Sequence, residues 1–397
     1  MKSMYIRRPR RRVQDETRRG NIVVLTAAIL VMIFAFTAFA VDVGYIVLAK
    51  AELQKSTDAA TLAASLELQE AFGAGGEITP VMAEAAARQA AVDVAAANRA
   101  AGKNSAMCDP NRDVRIGNYS WDADSETWVK QWGVEPYNLV EVTLRRDQDG
   151  SLNGDEPLDL FFAPIMGNDT SNIVTVSTAA MLPAVGFRKV PGTNIGVLPI
   201  TLDVPTWDNL ILNGVGTDDY SYDPETKTVG NGSDGIKEVN LYPTGNPLLP
   251  PGNRGTVDFG GTNNSTADLA RQILNGLNDD DWAALAEQGI TELRWDTEPL
   301  QINGDTGLSA GIKDELNAIK GLPRAIPLFT QVSGPGNNAM YTIVRFVGIR
   351  IMHVRLTGKP SGKHVMIQPA PFTDFNVIPG ESVIEPDSIL APTSLVQ

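Results

Sequence analysis

From Asn21 to Val41 the chain reads NIVVLTAAILVMIFAFTAFAV, without a charge, a Pro or a Gly. As a helix this stretch spans roughly 32 Å at about 1.5 Å per residue, enough to cross a bilayer's hydrocarbon core. Asp42 closes it. The composition then shifts to Ala, Leu, Glu and Gln without Pro, so the helix is expected to continue outward to about Glu70 and to stop at Gly73, Gly75 and Gly76. Within this continuation Ile46, Ala49, Leu53, Ser56, Ala60 and Ala63 recur at alternating steps of three and four. That narrow seam of small residues suits close helix packing and is a candidate homo-oligomer contact through the Ala-rich helix. A second helix is expected after Thr79, with Pro80 in the first turn where its missing N–H costs nothing, running to about Ala101 before Gly102.

The period changes to two from Asn111. Val114 and Ile116 alternate with polar neighbours, and Val140, Val142 and Leu144 alternate with Glu141, Thr143 and Arg145, the pattern of half-buried strands. Apolar runs at Leu158–Phe162 and Ile173–Val176 complete a small β-sheet domain over 111–183. A Gly- and Pro-bearing linker covers 184–196. A second β-rich domain is expected over 197–372, with short helices inserted. Ser265 or Thr266 caps one carrying Leu269, Ile273 and Leu277, and Asp279 to Asp281 open another before Trp282 and Leu285. Ser309 caps a third carrying Ile312, Leu316 and Ile319, stopped at Gly321 before Pro323. Tyr341 to Gly358 is the most strand-like stretch, and 373–397 reads as an extended tail. The fold class is therefore α+β: one N-terminal transmembrane helix (21–41), an Ala-rich helical stalk or hairpin (42–102), and two β-rich extracytoplasmic domains.

Charge orients this arrangement. The first twenty residues form a basic arm with eight Lys and Arg against Asp15 and Glu16, a local +6 on a chain whose net charge is -14. A body so acidic is a poor partner for nucleic acid, which requires Lys and Arg on the binding surface itself. Positive charge on the N-terminal side of the apolar span, with Asp42 on the other, places the arm in the cytoplasm and the remainder across the cytoplasmic (inner) membrane, in the periplasm or outside the cell. Arg18, Arg19, Gly20 and Asp42 are the anchor residues. Ala38-Phe39-Ala40 is also a usable signal-peptide cleavage site, although the apolar run exceeds the usual core of about 7 to 15 residues.

Candidate chemistry is sparse. Cys108 is the single cysteine, so no internal disulfide forms, and His353 and His364 are the two histidines. Neither histidine lies near a recognisable nucleophile elbow or in a His-Glu-x-x-His spacing. No catalytic residue and no cofactor are expected. One loop invites a calcium test: Asp147, Asp149, Ser151, Asn153 and Asp155 alternate oxygen-bearing side chains. Leu152, however, stands where an EF-hand needs Gly, and Leu158 where its bidentate Glu belongs, so a solvated hairpin loop explains the same residues. Six Trp residues raise sugar stacking as an alternative to core packing.

Specific motifs flank the apolar span. Arg18-Arg19-Gly20 precedes it, Val41-Asp42-Val43-Gly44 follows, and then come Leu53-Gln54 and Asp58-Ala59-Ala60. In this order they resemble the N-terminal module of TadG-like proteins of the tight-adherence (Tad/Flp) pilus system. Val114-Arg115-Ile116-Gly117, Trp121-Asp122, the strand around Val140, Phe161-Phe162-Ala163 and Val176-Ser177-Thr178-Ala179-Ala180 resemble the extracytoplasmic domain that often follows that module. Beyond Pro183 the likeness is general, in loops such as Gly252-Asn253-Arg254-Gly255 and in the strand near Tyr341.

The resemblance implies an envelope protein that assists assembly or anchoring of thin adhesive pili, with the lipid bilayer and other pilus-assembly or envelope proteins as partners and no enzymatic residues. The chain lacks the Asp-x-Ser-x-Ser metal motif of relatives that carry a von Willebrand A domain. It also has Leu25 where prepilin-like relatives have Glu five residues after the cleavage Gly. The competing functions are a membrane-tethered glycan or surface-ligand binder and an extracytoplasmic hydrolase.

Overall fold

The computed structural model describes residues 22–69, 79–99, 102–224, 226–241, 254–260, 265–305, 307–334, 338–359, 362–381, 384–385 and 387–396. The basic arm with Arg18, Arg19 and Gly20 lies outside the described residues, as do Gly73, Gly75, Gly76, Ala101, Gly252 and Asn253. Helix α1, Ile22–Glu67, is continuous for 46 residues, because no Pro interrupts it and its one glycine, Gly44, sits in open space. It contains the described helix that is long and apolar enough to cross a membrane. Helix α2, Pro80–Ala97, starts at Thr79, whose hydroxyl accepts the Met82 N–H at 3.3 Å. It ends at Asn98, whose backbone N–H donates to the Ala95 carbonyl and whose side chain donates to Val94 at 2.6 Å.

The two helices form an antiparallel pair. Ala83, Ala87, Ala91 and Ala95, one turn apart along α2, are buried in the same core as Ala49, Leu53, Ala60 and Ala64 of α1. Side chains this small let the backbones approach closely, and dispersion contacts accumulate along the whole seam. The seam anticipated for a second copy is thus filled by α2 of the same chain. Of the seam residues considered for a homo-oligomer, Ala49, Leu53, Ser56 and Ala60 are buried within this one chain, while Ile46 and Ala63 are half-buried.

Beneath the helices lies an antiparallel sheet. Its strands are β1 (Val114–Asp122), β2 (Thr127–Trp132) and β3 (Leu139–Arg146); a short hairpin β4 (Leu158–Asp159) and β5 (Thr170–Ser171) follows, and then β6 (Ile173–Ala180). The order is β2-β1-β3-β6, and the register pairs Val114 with Val142 and Val142 with Ser177. One face therefore carries Val114, Ile116, Val140, Val142 and Leu144 into the core with the helices. The period-two reading identified these strands because one face is buried and the other wet. Against β6, α1 presents polar side chains: the Thr57 and Thr175 hydroxyls meet at 2.6 Å, and Gln54 Nε2 donates to Ser177 Oγ at 2.9 Å. Since Asp42 meets Phe161 to Ala163 ahead of β6 and Ser65 meets Thr393 beside the end of β6, α1 and β6 run in the same direction. The start of β6, the end of β3 and the intervening loops thus lie at the end of the sheet nearest the apolar half of α1.

The second unit begins with β7 (Ala184–Phe187), inside the stretch read as linker; Phe187 is wholly buried and anchors the segment as a strand. In chain order there follow β8 (Ile200–Asp203), α3 (Val204–Asn213), β9 (Tyr220–Asp223), β10 (Thr228–Asn231), β11 (Val239–Asn240) and β12 (Arg254–Val257). Next are α4 (Thr266–Asn275), α5 (Asp279–Glu287), β13 (Leu293–Arg294), β14 (Leu300–Asp305), α6 (Lys313–Ala318), β15 (Pro323–Ser333), β16 (Ala339–Arg355) and β17 (His364–Pro369). The chain finishes with β18 (Phe372–Thr373), β19 (Val377–Pro379), β20 (Ile389–Leu390) and β21 (Ser394–Leu395).

The largest sheet runs β11-β17-β16-β14-β12-β8-β15, and β15 also pairs with β16. Strands β16, β14, β12, β8 and β15 therefore close into a small barrel, which removes their free edges. Closure depends on two glycines. A Cβ on Gly255 would lie 2.0 Å from the Tyr341 hydroxyl, and one on Gly304 would lie 2.9 Å from its ring, so the buried tyrosine occupies the space they leave. The tail returns to the first unit: β21 pairs with β6, and Thr393 donates to Ser65 Oγ of α1 at 2.6 Å.

Candidate functional site

The structure unites two motifs that lie about 120 residues apart. Asp42, the first charge after the apolar span, accepts the backbone N–H groups of Phe161, Phe162 and Ala163 at 2.9, 3.0 and 2.7 Å. Its side chain is only 5% exposed. Burial alone would push its pKa up, but the three donors outweigh that and hold the carboxyl below its ordinary range. The same three N–H groups open a 3-10 turn, Ala163–Met166, ended by Gly167 in the left-handed conformation at φ +85°. Tyr45, one turn beyond Asp42 on α1, packs its ring 4.9 Å from that of Phe161. The C-terminal end of the apolar run of α1 is thereby fastened to the tip of the β4–β5 hairpin.

Of the other motif residues, Gln54 and Asp58 bond to each other at 2.7 Å and both reach Ser177, while Leu53 and Ala60 are buried against α2. Ala59 is half-buried, and Gly44 touches nothing. These residues join the helix to the sheet; they form no cleft.

The loop considered for calcium is organised by an arginine. Asp155 is buried, accepts the Ser151 hydroxyl and takes Arg112 Nη1 at 2.9 Å, and its backbone carbonyl accepts the N–H groups of Asp147 and Gln148. Asp147 takes the Gln148 side chain at 2.6 Å. Arg112 also grips the buried Asp113, which Arg145 reaches at 3.1 Å. The guanidinium pairs with the buried carboxylates of Asp113 and Asp155, and its own pKa is raised, chiefly by the bond to Asp113. No group of three or more His, Cys, Asp or Glu that could hold a metal is present among the described residues. Cys108, buried beside this network, has its thiol pushed up to about 12 by burial, with the charges of Asp113 and Asp109 adding to the shift.

In the second unit the acidic run Asp279-Asp280-Asp281 opens α5. Asn278 is the cap and accepts the Asp281 N–H, and Asp281 accepts the Asn278 N–H in return, a capping box. Arg271 clamps Asp281 with both terminal nitrogens at 2.8 and 2.6 Å, so this carboxylate is structural. The two histidines, read separately along the sequence, meet across β16 and β17: His353 Nδ1 lies 2.7 Å from His364 Nε2, and Tyr220 stacks on the His353 ring. Burial lowers both pKa values, and mutual repulsion lowers that of His353 further. No sequence spacing could reveal the pair, because a register irregularity between Ile351 and His353 sets it.

Trp207, Trp282 and Trp295 pack with the cores of the second unit. The other three gather on the β1–β2 hairpin, where Trp121 and Trp128 meet edge to face at 5.8 Å, Tyr119 lies 5.1 Å from Trp128, and Arg115 covers Trp132. A cleft of about 370 Å³ lies beside Trp295, Arg345 and Asp387. Two of its polar side chains are engaged: Asp387 takes Trp207 Nε1 at 2.6 Å, and Arg345 Nη2 donates to Asp208 at 2.6 Å, while Arg345 Nε is buried without a partner.

Comparison with known proteins gives two family matches. Residues 20–101 match the family described as putative Flp pilus-assembly TadE/G-like, and residues 73–179 match that described as putative Tad-like Flp pilus-assembly. No curated protein and no solved structure matches the chain significantly. The two matched regions contain the two sides of the Asp42 junction.

Proposed function

Because residues 20–179 make the chain a TadG-like protein of the Tad/Flp pilus-assembly family, we propose that it is a single-pass component of the cytoplasmic membrane that holds its two β-rich units in the periplasm or outside the cell. There it assists assembly or anchoring of the pilus by binding other pilus and envelope proteins. The observation that carries this reading is the division of α1: every residue from Ile22 to Phe36 is exposed and none is charged, whereas beyond Asp42 one face is packed against protein. A helix half apolar and bare, half buried in a domain, suits a bilayer on one side of Asp42 and water on the other. The basic arm supports an N-terminus in the cytoplasm.

The reading is non-enzymatic because the notable acids serve the fold: Asp42 holds a turn, Asp113 and Asp155 hold arginines, and Asp281 caps a helix. Deletion of the gene in its source cell tests the proposal. Loss of surface fibres, restored by the full chain and not by a version lacking residues 1–41, is the expected result; normal piliation and adhesion in the deletant would overturn it.

One observation favours a second reading, a tethered glycan or surface-ligand binder: the half-exposed aromatic shelf of Tyr119, Trp121 and Trp128. Retention of the detergent-solubilised chain on cell-wall glycan, abolished by Trp128→Ala, would support it. Failure across a polysaccharide panel removes it.

A further inference from the structure

The β4–β5 hairpin ends in Leu160-Phe161-Phe162-Ala163-Pro164-Ile165-Met166-Gly167, eight residues without a charge. Its large side chains point away from the fold: Phe161 is 63% exposed, Phe162 42%, and Ile165 and Met166 each 85%. A soluble surface has no use for four large apolar side chains on one turn, and such a patch marks a contact. Its position identifies the contact. The three Asp42 bonds fix the tip at the level of α1 where the uncharged run ends, and Phe161 touches Tyr45 there. Ile22–Val41 accounts for about 30 Å of hydrocarbon at about 1.5 Å per residue. The tip therefore continues the apolar surface of α1 at the outer boundary of the span.

We propose that this turn is a second membrane contact: Phe161, Phe162, Ile165 and Met166 enter the interface of the outer leaflet beside α1, and Asp42 sets their height. The inference rests on α1 spanning the bilayer. It adds a fixed orientation, because one helix leaves a domain free to tilt and swivel, whereas a helix plus a laterally displaced apolar turn defines a plane. The occupant is lipid acyl chain and not an anionic headgroup, since the tip has no Lys or Arg and is flanked by Asp159 and Asp169.

The test is fluorescence of the full chain reconstituted into phosphatidylcholine vesicles. Ile165→Cys and Met166→Cys are labelled with an environment-sensitive dye; native Cys108 is buried, and unsubstituted protein shows the background. Both probes are expected to emit to the blue and to be quenched by lipid spin-labelled near the headgroup, equally with and without phosphatidylglycerol. A probe at Val134→Cys, in the turn at the far end of the sheet, stays unquenched. A probe at Phe34→Cys, midway along the span and read with lipid spin-labelled deep in the acyl chain, separates the two readings. Quenching at Phe34 with none at Ile165 and Met166 overturns the second contact and leaves the anchor. No quenching at any site overturns both. Blue emission at Ile165 and Met166 without lipid quenching assigns the turn to a protein surface and also overturns the proposal. In a parallel sample, Asp42→Ala is expected to weaken quenching at Met166 while leaving Phe34 quenched; unchanged quenching at Met166 overturns the assignment of Asp42 as the residue that sets the height.

Discussion

The two halves of α1 invert the usual relation between hydrophobicity and burial. Ile22 to Val41, made of Ile, Val, Leu, Phe, Met, Thr and Ala, is bare against the rest of the chain. Asp42 to Glu67, poorer in large apolar side chains, buries Ala49, Leu53, Ala60 and Ala64 together with Ser56, Thr57, Thr61 and Ser65. Under the proposed bilayer anchoring, lipid is the contact for the apolar side chains of the first half, so they need no protein partner. In the second half another helix and a strand approach closely, and small or hydroxyl-bearing side chains permit it. Burial there reports distance between backbones more than affinity for oil.

That contrast can be broken directly. Ala60→Leu places a large side chain in the fully packed seam with α2 and is expected to cost about 1–3 kcal/mol in a denaturant titration, whereas Ala27→Leu, on the bare half, leaves stability unchanged. An effect of Ala27→Leu as large as that of Ala60→Leu would erase the distinction. A smaller effect is expected for Thr57→Val, which removes the buried hydroxyl contact with Thr175 and costs about 1 kcal/mol. Thr37→Val, whose hydroxyl donates to Ile33 within the bare half, is neutral by the same measurement.

Asp42, at the boundary, gives a local readout. Since its folded pKa lies below the ordinary 3.8, its bonds are fully present above that value and are lost as the pH falls through the lower folded value. Amide-exchange protection of Phe161, Phe162 and Ala163 should persist at pH 5 and collapse in stronger acid, and Asp42→Ala should remove it at every pH. The smallest effect is expected in the second unit. Its paired histidines have folded pKa values below the ordinary 6.5, so their contribution is complete above that pH and declines as acid protonates the unfolded chain more readily than the folded one. Melting followed by β-sheet signal should soften as the pH falls below about 6.5, and His364→Phe should flatten the profile.

Much of the first unit was legible from local pattern. The uncharged run gave the span, Thr79-Pro80 gave the start of α2, alternation gave β1 and β3, and the apolar run from Ile173 gave β6, because each signal depends on neighbours within one or two turns. The candidate site was legible as two motifs and illegible as a junction. Nothing in the spacing of Asp42 and Phe161 says that a carboxylate and three backbone N–H groups will meet. The Ala seam was visible and its partner was not, since α2 and a second copy of α1 would present equally small side chains.

By itself, the sequence determined where the uncharged apolar run lies, where much of the helix and strand of the first unit falls, and that positive charge flanks only one end of that run; these follow from composition and period. Only the tertiary structure decided that the seam closes within one chain, that the tail returns to β6, that Tyr341 over Gly255 and Gly304 closes a barrel, and that Asp42 lifts four apolar side chains to the edge of the span. Each depends on residues brought together from distant parts of the chain, and a one-dimensional pattern carries no record of which distant surfaces will meet.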